Sequence, residues 1–203
     1  MLGGLLQFFS ERSFIKGQTI VGEGEYDESL HFVNTGVVKI FKTSAEGKEQ
    51  IIRLARPGDP FNDLAVFSAG ASPYSAQALG SITTVYKINR SDFLPFVKGN
   101  WQVAFNAAES LAEQSRLLLT LVEDLSFKNV TNRVAKILLQ HLEPGPEGSH
   151  RLTQYEMAAM AGTAREVVGR SLKSLEDSGA IKLERHRIVI ADKGYLQRLA
   201  GLN

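Results

Sequence analysis

The chain has 203 residues, with 43% apolar and 22% charged side chains. That composition belongs to folded globular proteins and excludes a disordered chain, and the length suits two domains rather than one. Zero cysteines exclude disulfides, thiolate nucleophiles, Cys-based zinc sites and iron–sulfur clusters. The net charge of +1 conceals an asymmetry: residues 1–126 hold 11 Lys and Arg against 14 Asp and Glu, whereas residues 127–203 hold 12 against 8. A basic C-terminal third suits a polyanionic partner. No run approaches the ~18 apolar residues of a membrane span, and Met1 to Phe9 lacks the basic start and cleavage site of a secretory signal, so the expectation is a cytoplasmic protein without membrane contact.

From Arg12 to about Phe93 hydrophobicity alternates with period two, punctuated by glycine. Short strands are expected over Gln18–Val21, Leu30–Val33, Val37–Phe41, Glu49–Leu54, Ser75–Leu79 and Thr83–Ile88, with turns at Gly22-Glu23-Gly24, Asn34-Thr35-Gly36 and Pro57-Gly58-Asp59 and an irregular stretch from Pro60 to Tyr74. Short strands at this spacing predict a sandwich or a roll that folds on itself. After Asp92 the texture changes. Val97, Trp101, Ala104, Ala108, Leu111, Ser115, Leu118, Val122 and Leu125 recur at steps of four and three, a heptad seam on one long helix. So narrow a stripe calls for a partner helix, or else packs on its own roll; small residues at Ala104 and Ala108 let two backbones approach.

A second helix is expected over Val130–Leu142, capped by Asn129, followed by a Pro/Gly loop at Glu143–His150. Then come Gln154–Ala161, a tight turn at Gly162-Thr163 and a helix over Ala164–Glu176. Ile181–Glu184 and Ile188–Ile190 flank Arg185-His186-Arg187 as a hairpin, or wing. Two helices joined by a glycine turn, the second exposing Arg165, Glu166 and Arg170, have the composition of a helix-turn-helix. Arginine bonds guanine bidentately and a carboxylate accepts from cytosine N4, so the trio suits G·C-containing DNA; the same three residues also suit an ordinary solvated face.

The segment Leu152 to Ile181, LTQYEMAAMAGTAREVVGRSLKSLEDSGAI, closely resembles the DNA-binding motif of the cyclic-AMP receptor protein / fumarate–nitrate regulator (CRP/FNR) family. Phe127 to Ala135, FKNVTNRVA, resembles that family's hinge and following helix, and the glycine-punctuated roll resembles its cyclic-nucleotide-binding fold. The resemblance implies an α+β protein: an effector-sensing antiparallel β-roll over 1–94, a dimerisation helix over 95–126 and a C-terminal winged helix-turn-helix over 127–203. It implies a homodimer that binds double-stranded DNA and regulates transcription. Arg165, Glu166 and Arg170 then occupy base-reading positions in the arrangement of the cyclic-AMP receptor branch, with a half-site close to TGTGA. Val130, Thr131, Thr153, Thr163 and Lys173 fall where relatives hold the DNA backbone. RNA polymerase is the further partner implied, and Glu143–His150 sits where some relatives touch it.

The effector pocket implied by the resemblance comprises Asn62, Asp63, Leu64, Tyr74, Ser75, Leu118 and Leu119. Here the chain departs from nucleotide binders. Asn62-Asp63 replaces their Gly-Glu pair on the ribose, and Tyr74 replaces their phosphate-binding arginine; without a cation a buried phosphate costs several kcal/mol. Leu118 and Leu119 replace the hydroxyl residues that meet the adenine. The expectation is a small effector other than cyclic AMP, or a pocket filled by the protein's own side chains. Haem is disfavoured, because His31 lies within a strand, His141, His150 and His186 fall outside the roll, and there is no cysteine. No catalytic or metal-ligating set stands out: a cupin-like enzyme needs several converging His and carboxylate ligands where the roll supplies only His31, and a sensing scaffold without DNA contact leaves Arg165 and Arg170 without a task.

Overall fold

A computed structural model of the chain describes residues 3–141, 152–185 and 187–202. The chain divides into two compact units, one of Met1–Lys42 and Ile52–Leu118, the other of Thr43–Ile51 and Leu119–Asn203.

The first unit begins with a helical turn, α1 (Gly3–Leu6), and the strands β1 (Ser10–Ile15), β2 (Thr19–Val21), β3 (Ser29–Thr35) and β4 (Val38–Thr43). There follow β5 (Glu49–Ala55), whose residues up to Ile51 group with the second unit, β6 (Pro60–Phe61), α2 (Asp63–Ser68), β7 (Ser75–Ala78) and β8 (Ile82–Asn89). Two four-stranded sheets result, ordered β1-β8-β3-β6 and β2-β7-β4-β5, and β8 lies antiparallel to both β1 and β3. Val33, Phe61 and Val85 from one sheet bury against Val21, Val38, Ile40 and Ala76 from the other, which is why the strands alternate. Between β3 and β4 the turn glycine Gly36 has φ +84°, and a Cβ there would lie 2.6 Å from the Thr83 hydroxyl. Only glycine satisfies both the turn and that approach.

The stretch expected to be irregular holds both β6 and α2. A six-residue helix buries too few turns to leave a readable periodicity. Helix α3 (Arg90–Gly99) packs Phe93 on a second apolar cluster with Leu30, Val66 and Ile88, and Val97 leans on the same cluster. The chain breaks at Asn100, in extended conformation, before α4 (Trp101–Phe127). The helix expected to run through 95–126 is therefore two, and Val97 serves the roll's cluster rather than the seam. Along α4 the half-buried positions are Val103, Ala107, Ser110, Leu111, Gln114, Thr120, Leu121 and Asp124. Of the remaining seam residues Leu111 is half-buried and the others are exposed: Trp101 76%, Val122 60%, Leu118 45% and Leu125 38%, with Ala104, Ala108 and Ser115.

The second unit holds α5 (Val130–His141), α6 (Gln154–Ala161), α7 (Arg165–Asp177), the two-stranded wing β9 (Ile181–Glu184) and β10 (Arg187–Ile190), and α8 (Lys193–Ala200). The Asn129 side chain caps α5, accepting from the Asn132 N–H at 2.9 Å. Val134 and Leu138 of α5, Met157, Ala158 and Ala161 of α6, Val168, Leu172 and Leu175 of α7, Ile181 and Leu196 form one core. Each fully buried leucine contributes about 1.5–3 kcal/mol, so Leu172→Ala would cost roughly 2–5 kcal/mol once the cavity is included. Helix α8 was not anticipated, although Asp192 caps it through the Tyr195 N–H at 2.8 Å and Leu196 and Ala200 recur at helical spacing. The expected Pro/Gly loop lies outside the described residues.

Candidate nucleic-acid interface and effector cassette

Thr153 starts α6 with a capping box: its Oγ1 accepts from the Glu156 N–H at 3.2 Å, while Glu156 accepts from the Thr153 N–H at 2.7 Å and its hydroxyl at 3.0 Å. The helix ends on Gly162, left-handed at φ +62°, and the N–H of Thr163 returns to the Ala158 carbonyl at 3.0 Å. This two-ended fixation sets the direction in which α7 leaves the turn.

On α7, Val168, Ser171, Leu172 and Leu175 face the core. At ~100° per residue, Arg165, Gly169, Lys173, Glu166 and Arg170 spread over an exposed arc of roughly 140°. Arg165 is the first helical residue, and Ala164 before it offers no side-chain cap. Arg165, Glu166 and Arg170 engage no other described side chain, so their donors and acceptors face solvent. Lys173 differs. Its ammonium pairs with Glu176 at 3.0 Å and Asp177 at 3.2 Å, and those hydrogen bonds hold Lys173 above, and Glu176 below, their ordinary ranges. Thr131 Oγ1 donates to Ser171 Oγ at 3.2 Å, tying α5 to α7, and Val130 packs on the C-terminal core.

At the junction of α4 and α5, Asp124 accepts ion pairs from Lys128 at 2.9 Å and from Lys136 at 2.5 Å. Burial alone would raise the Asp124 carboxyl; the hydrogen bonds from Lys136 and Lys128 outweigh it and hold the group below its usual value. Lys128 also donates to the Ala200 carbonyl at the end of α8, at 2.7 Å, and Arg133 to the Lys128 carbonyl at 2.6 Å. The hydrophilic hinge signature in the sequence concealed this network, because its partners meet only after folding.

In the roll, Asn62, Asp63 and Tyr74 come together. Asn62 is fully buried and left-handed at φ 65°. Its backbone N–H donates to the Tyr74 phenol oxygen at 2.7 Å, and its side-chain amide to the carbonyls of Asp27 at 2.6 Å and Ser29 at 2.9 Å. Burial, then the charge of Asp63, push the Tyr74 phenol up to about 12. Asp63 accepts from Gln114 of α4 at 2.5 Å. Ser75 accepts from the Glu23 N–H at 3.1 Å. Leu64, Leu118 and Leu119 are exposed on their helices.

Replacing the phosphate-binding arginine by Tyr74 does not leave the cassette without a cation. Arg53, on β5 and unremarked in the sequence, donates to the Pro60 carbonyl at 2.5 Å, and its charge acts on the Tyr74 phenol. Tyr74 already takes the Asn62 N–H, and Asp63 is held by Gln114. His31 is buried with Nε2 3.0 Å from Asp27 Oδ2 and its ring stacked on Phe61. Burial would raise the Asp27 carboxyl, but His31, Ser29 and Lys87 hold it far below the usual range. Among the described residues no group of three His, Cys, Asp or Glu is placed to hold a metal, and no helix is long and apolar enough to cross a membrane.

Residues 11–100 match the cyclic nucleotide-binding domain family and residues 132–199 the Crp-like helix-turn-helix domain family. The chain is 31% identical over 195 residues to the cyclic AMP receptor protein of Thermus thermophilus, covering 96% of this chain and 90% of that one. It is 30% identical over 194 residues to a CRP-like cAMP-activated global transcriptional regulator of Mycobacterium tuberculosis, covering 92% and 86%. Among solved structures, FixK2 from Bradyrhizobium japonicum superposes with a TM-score of 0.82 at 27% identity, covering 94% of this chain and 96% of that one.

Proposed function

Because this chain belongs to the CRP/FNR family of DNA-binding transcription regulators, we propose that it works as a cytoplasmic homodimer reading a palindrome with TGTGA-like half-sites. The observation that carries this reading is the trio Arg165, Glu166 and Arg170, exposed on one arc of α7 and without side-chain partners among the described residues. Arg165 and Arg170 are assigned guanine edges and Glu166 a cytosine amine. Val130, Thr131, Thr153, Thr163 and Lys173 position the protein on phosphates without specifying sequence. The exposed α4 stripe, with Leu118 and Val122 at its centre, is assigned to the second copy, which would set the two reading helices about 34 Å apart. RNA polymerase is the expected protein partner. Fluorescence anisotropy against a TGTGA palindrome and a scrambled duplex tests the core of this: salt-sensitive, selective binding supports it, and equal affinity for both duplexes overturns it.

The roll is assigned to control by a small effector other than cyclic AMP. Two of the relatives named above are a cyclic AMP receptor protein and a cAMP-activated regulator, but Tyr74 stands where the arginine of nucleotide binders is expected. A second reading is favoured by the Tyr74–Asn62 and Asp63–Gln114 bonds: the protein's own side chains close the cassette, and operator binding needs no effector. Calorimetry with cyclic AMP, and operator titration with the purified protein alone, separate the two.

A further inference from the structure

The turn that aims α7 is seated on a residue far from it in sequence. Gln50 is the second residue of β5, in the hairpin segment Thr43–Ile51 that groups with the helical unit. Its Nε2 donates to the Met160 carbonyl at 3.2 Å and to its neighbour Ile51's carbonyl at 3.0 Å. On the turn glycine, an added Cβ would come 2.9 Å from Gln50 Oε1 and 2.7 Å from Leu125 Cδ2. Where a side chain would leave Gly162, the Gln50 amide and Leu125 in the last turns of α4 therefore already occupy the space.

A helix ends with carbonyls that have no partner within it. In α6 the Ala158 carbonyl is taken by the returning N–H groups of Gly162 and Thr163, and that of Met160, two residues before the left-handed Gly162, by Gln50. The left-handed residue fixes the angle between α6 and α7, and a partner beside it fixes how far that angle can relax. Base reading tolerates roughly 0.5 Å of misplacement, so a donor at this point matters more for selectivity than for folding.

We propose that Gln50 is a positioning residue for the DNA-reading helix: its amide holds the Met160 carbonyl and, with Leu125, forms the seat of the Gly162 turn. The proposal rests on the DNA-reading assignment of α7. Gln50 itself touches no base; it acts through the turn.

The test uses the full chain carrying Gln50→Met or Gln50→Glu, which both lose the N–H donor at similar reach. Amide hydrogen exchange over residues 159–163 should accelerate about tenfold, with the core of α7 unchanged. Affinity for the TGTGA palindrome should fall about fivefold while affinity for the scrambled duplex holds, because only base-edge geometry is disturbed. A purely structural role would instead lower the melting temperature and accelerate exchange throughout the unit. Unchanged exchange at the turn in both variants overturns the proposal, as does faster exchange with the specific-to-scrambled ratio within about twofold of wild type. If the wild-type chain fails to distinguish the two duplexes, the DNA-reading assignment fails instead, and the exchange comparison alone decides whether Gln50 holds the turn.

Discussion

Arg165→Ala separates stability from recognition. Arg165 is the first residue of α7, exposed, with no described side-chain partner, so its removal costs the fold no packing and no ion pair. A cation at a helix N-terminus opposes the macrodipole, by about 0.3–1 kcal/mol, and the substitution should leave the melting temperature unchanged or slightly raised. One bidentate guanine contact contributes roughly 1–3 kcal/mol. A dimer on a palindrome loses two, or about 2–6 kcal/mol, which weakens operator binding from roughly thirtyfold to beyond ten-thousandfold. The assay is anisotropy at fixed salt on the palindrome and on duplexes changed symmetrically at each G·C pair. Wild type should discriminate at one pair where the variant no longer does. Wild-type affinity with intact discrimination at every pair would refute the placement of Arg165 on a base edge.

Three further outcomes are expected. Asp124→Ala should destabilise the protein by about 3 kcal/mol in urea at pH 7, because Lys136 and Lys128 lose a shared carboxylate in a mostly buried place; the folded carboxyl lies below its unfolded value of about 4, so this difference should shrink as pH falls through that folded value, and a difference independent of pH in acid would contradict the ion-pair account. Tyr74→Phe should cost about 1–3 kcal/mol by leaving the buried Asn62 N–H without an acceptor. The folded phenol is raised, so its contribution is complete below pH ~10 and lost as pH rises through about 12; in a spectrophotometric titration the latest-ionising tyrosine should disappear in the variant. Leu118→Asp with Val122→Asp should weaken self-association by roughly a hundredfold or more, since a desolvated unpaired charge costs several kcal/mol, and a sedimentation profile identical to wild type would place the dimer contact elsewhere.

The strands and the two helices flanking Gly162 were legible because periodicity and turn chemistry are local. The glycine turn, predicted from one residue and its neighbours, has the left-handed backbone that makes it a turn. Where the reading failed, the cause was non-local or too short to repeat. The seam's spacing ran unbroken through Val97 and Trp101, yet the chain breaks between them; the pair Gly99-Asn100 was the available signal. Exposure splits α4 into two neighbouring stripes, and the heptad count alone could not say which one its own unit keeps. Arg53 and Gln50 are beyond sequence inspection, since β5 brings each to partners near Pro60 and Met160. Tyr74 was identified by position, but its bond to the Asn62 N–H needed coordinates.

The two carboxylates around Lys173 bear on thermodynamics in solution. A cation that neutralises a DNA phosphate displaces condensed counterions, steepening the dependence of log affinity on log salt by about 0.9. Lys173 arrives already neutralised. Moving it to a phosphate strips Glu176 and Asp177 of their cation, and ions from solution must replace it, so uptake cancels release. Lys173→Gln should therefore shift the salt titration line downward without changing its slope.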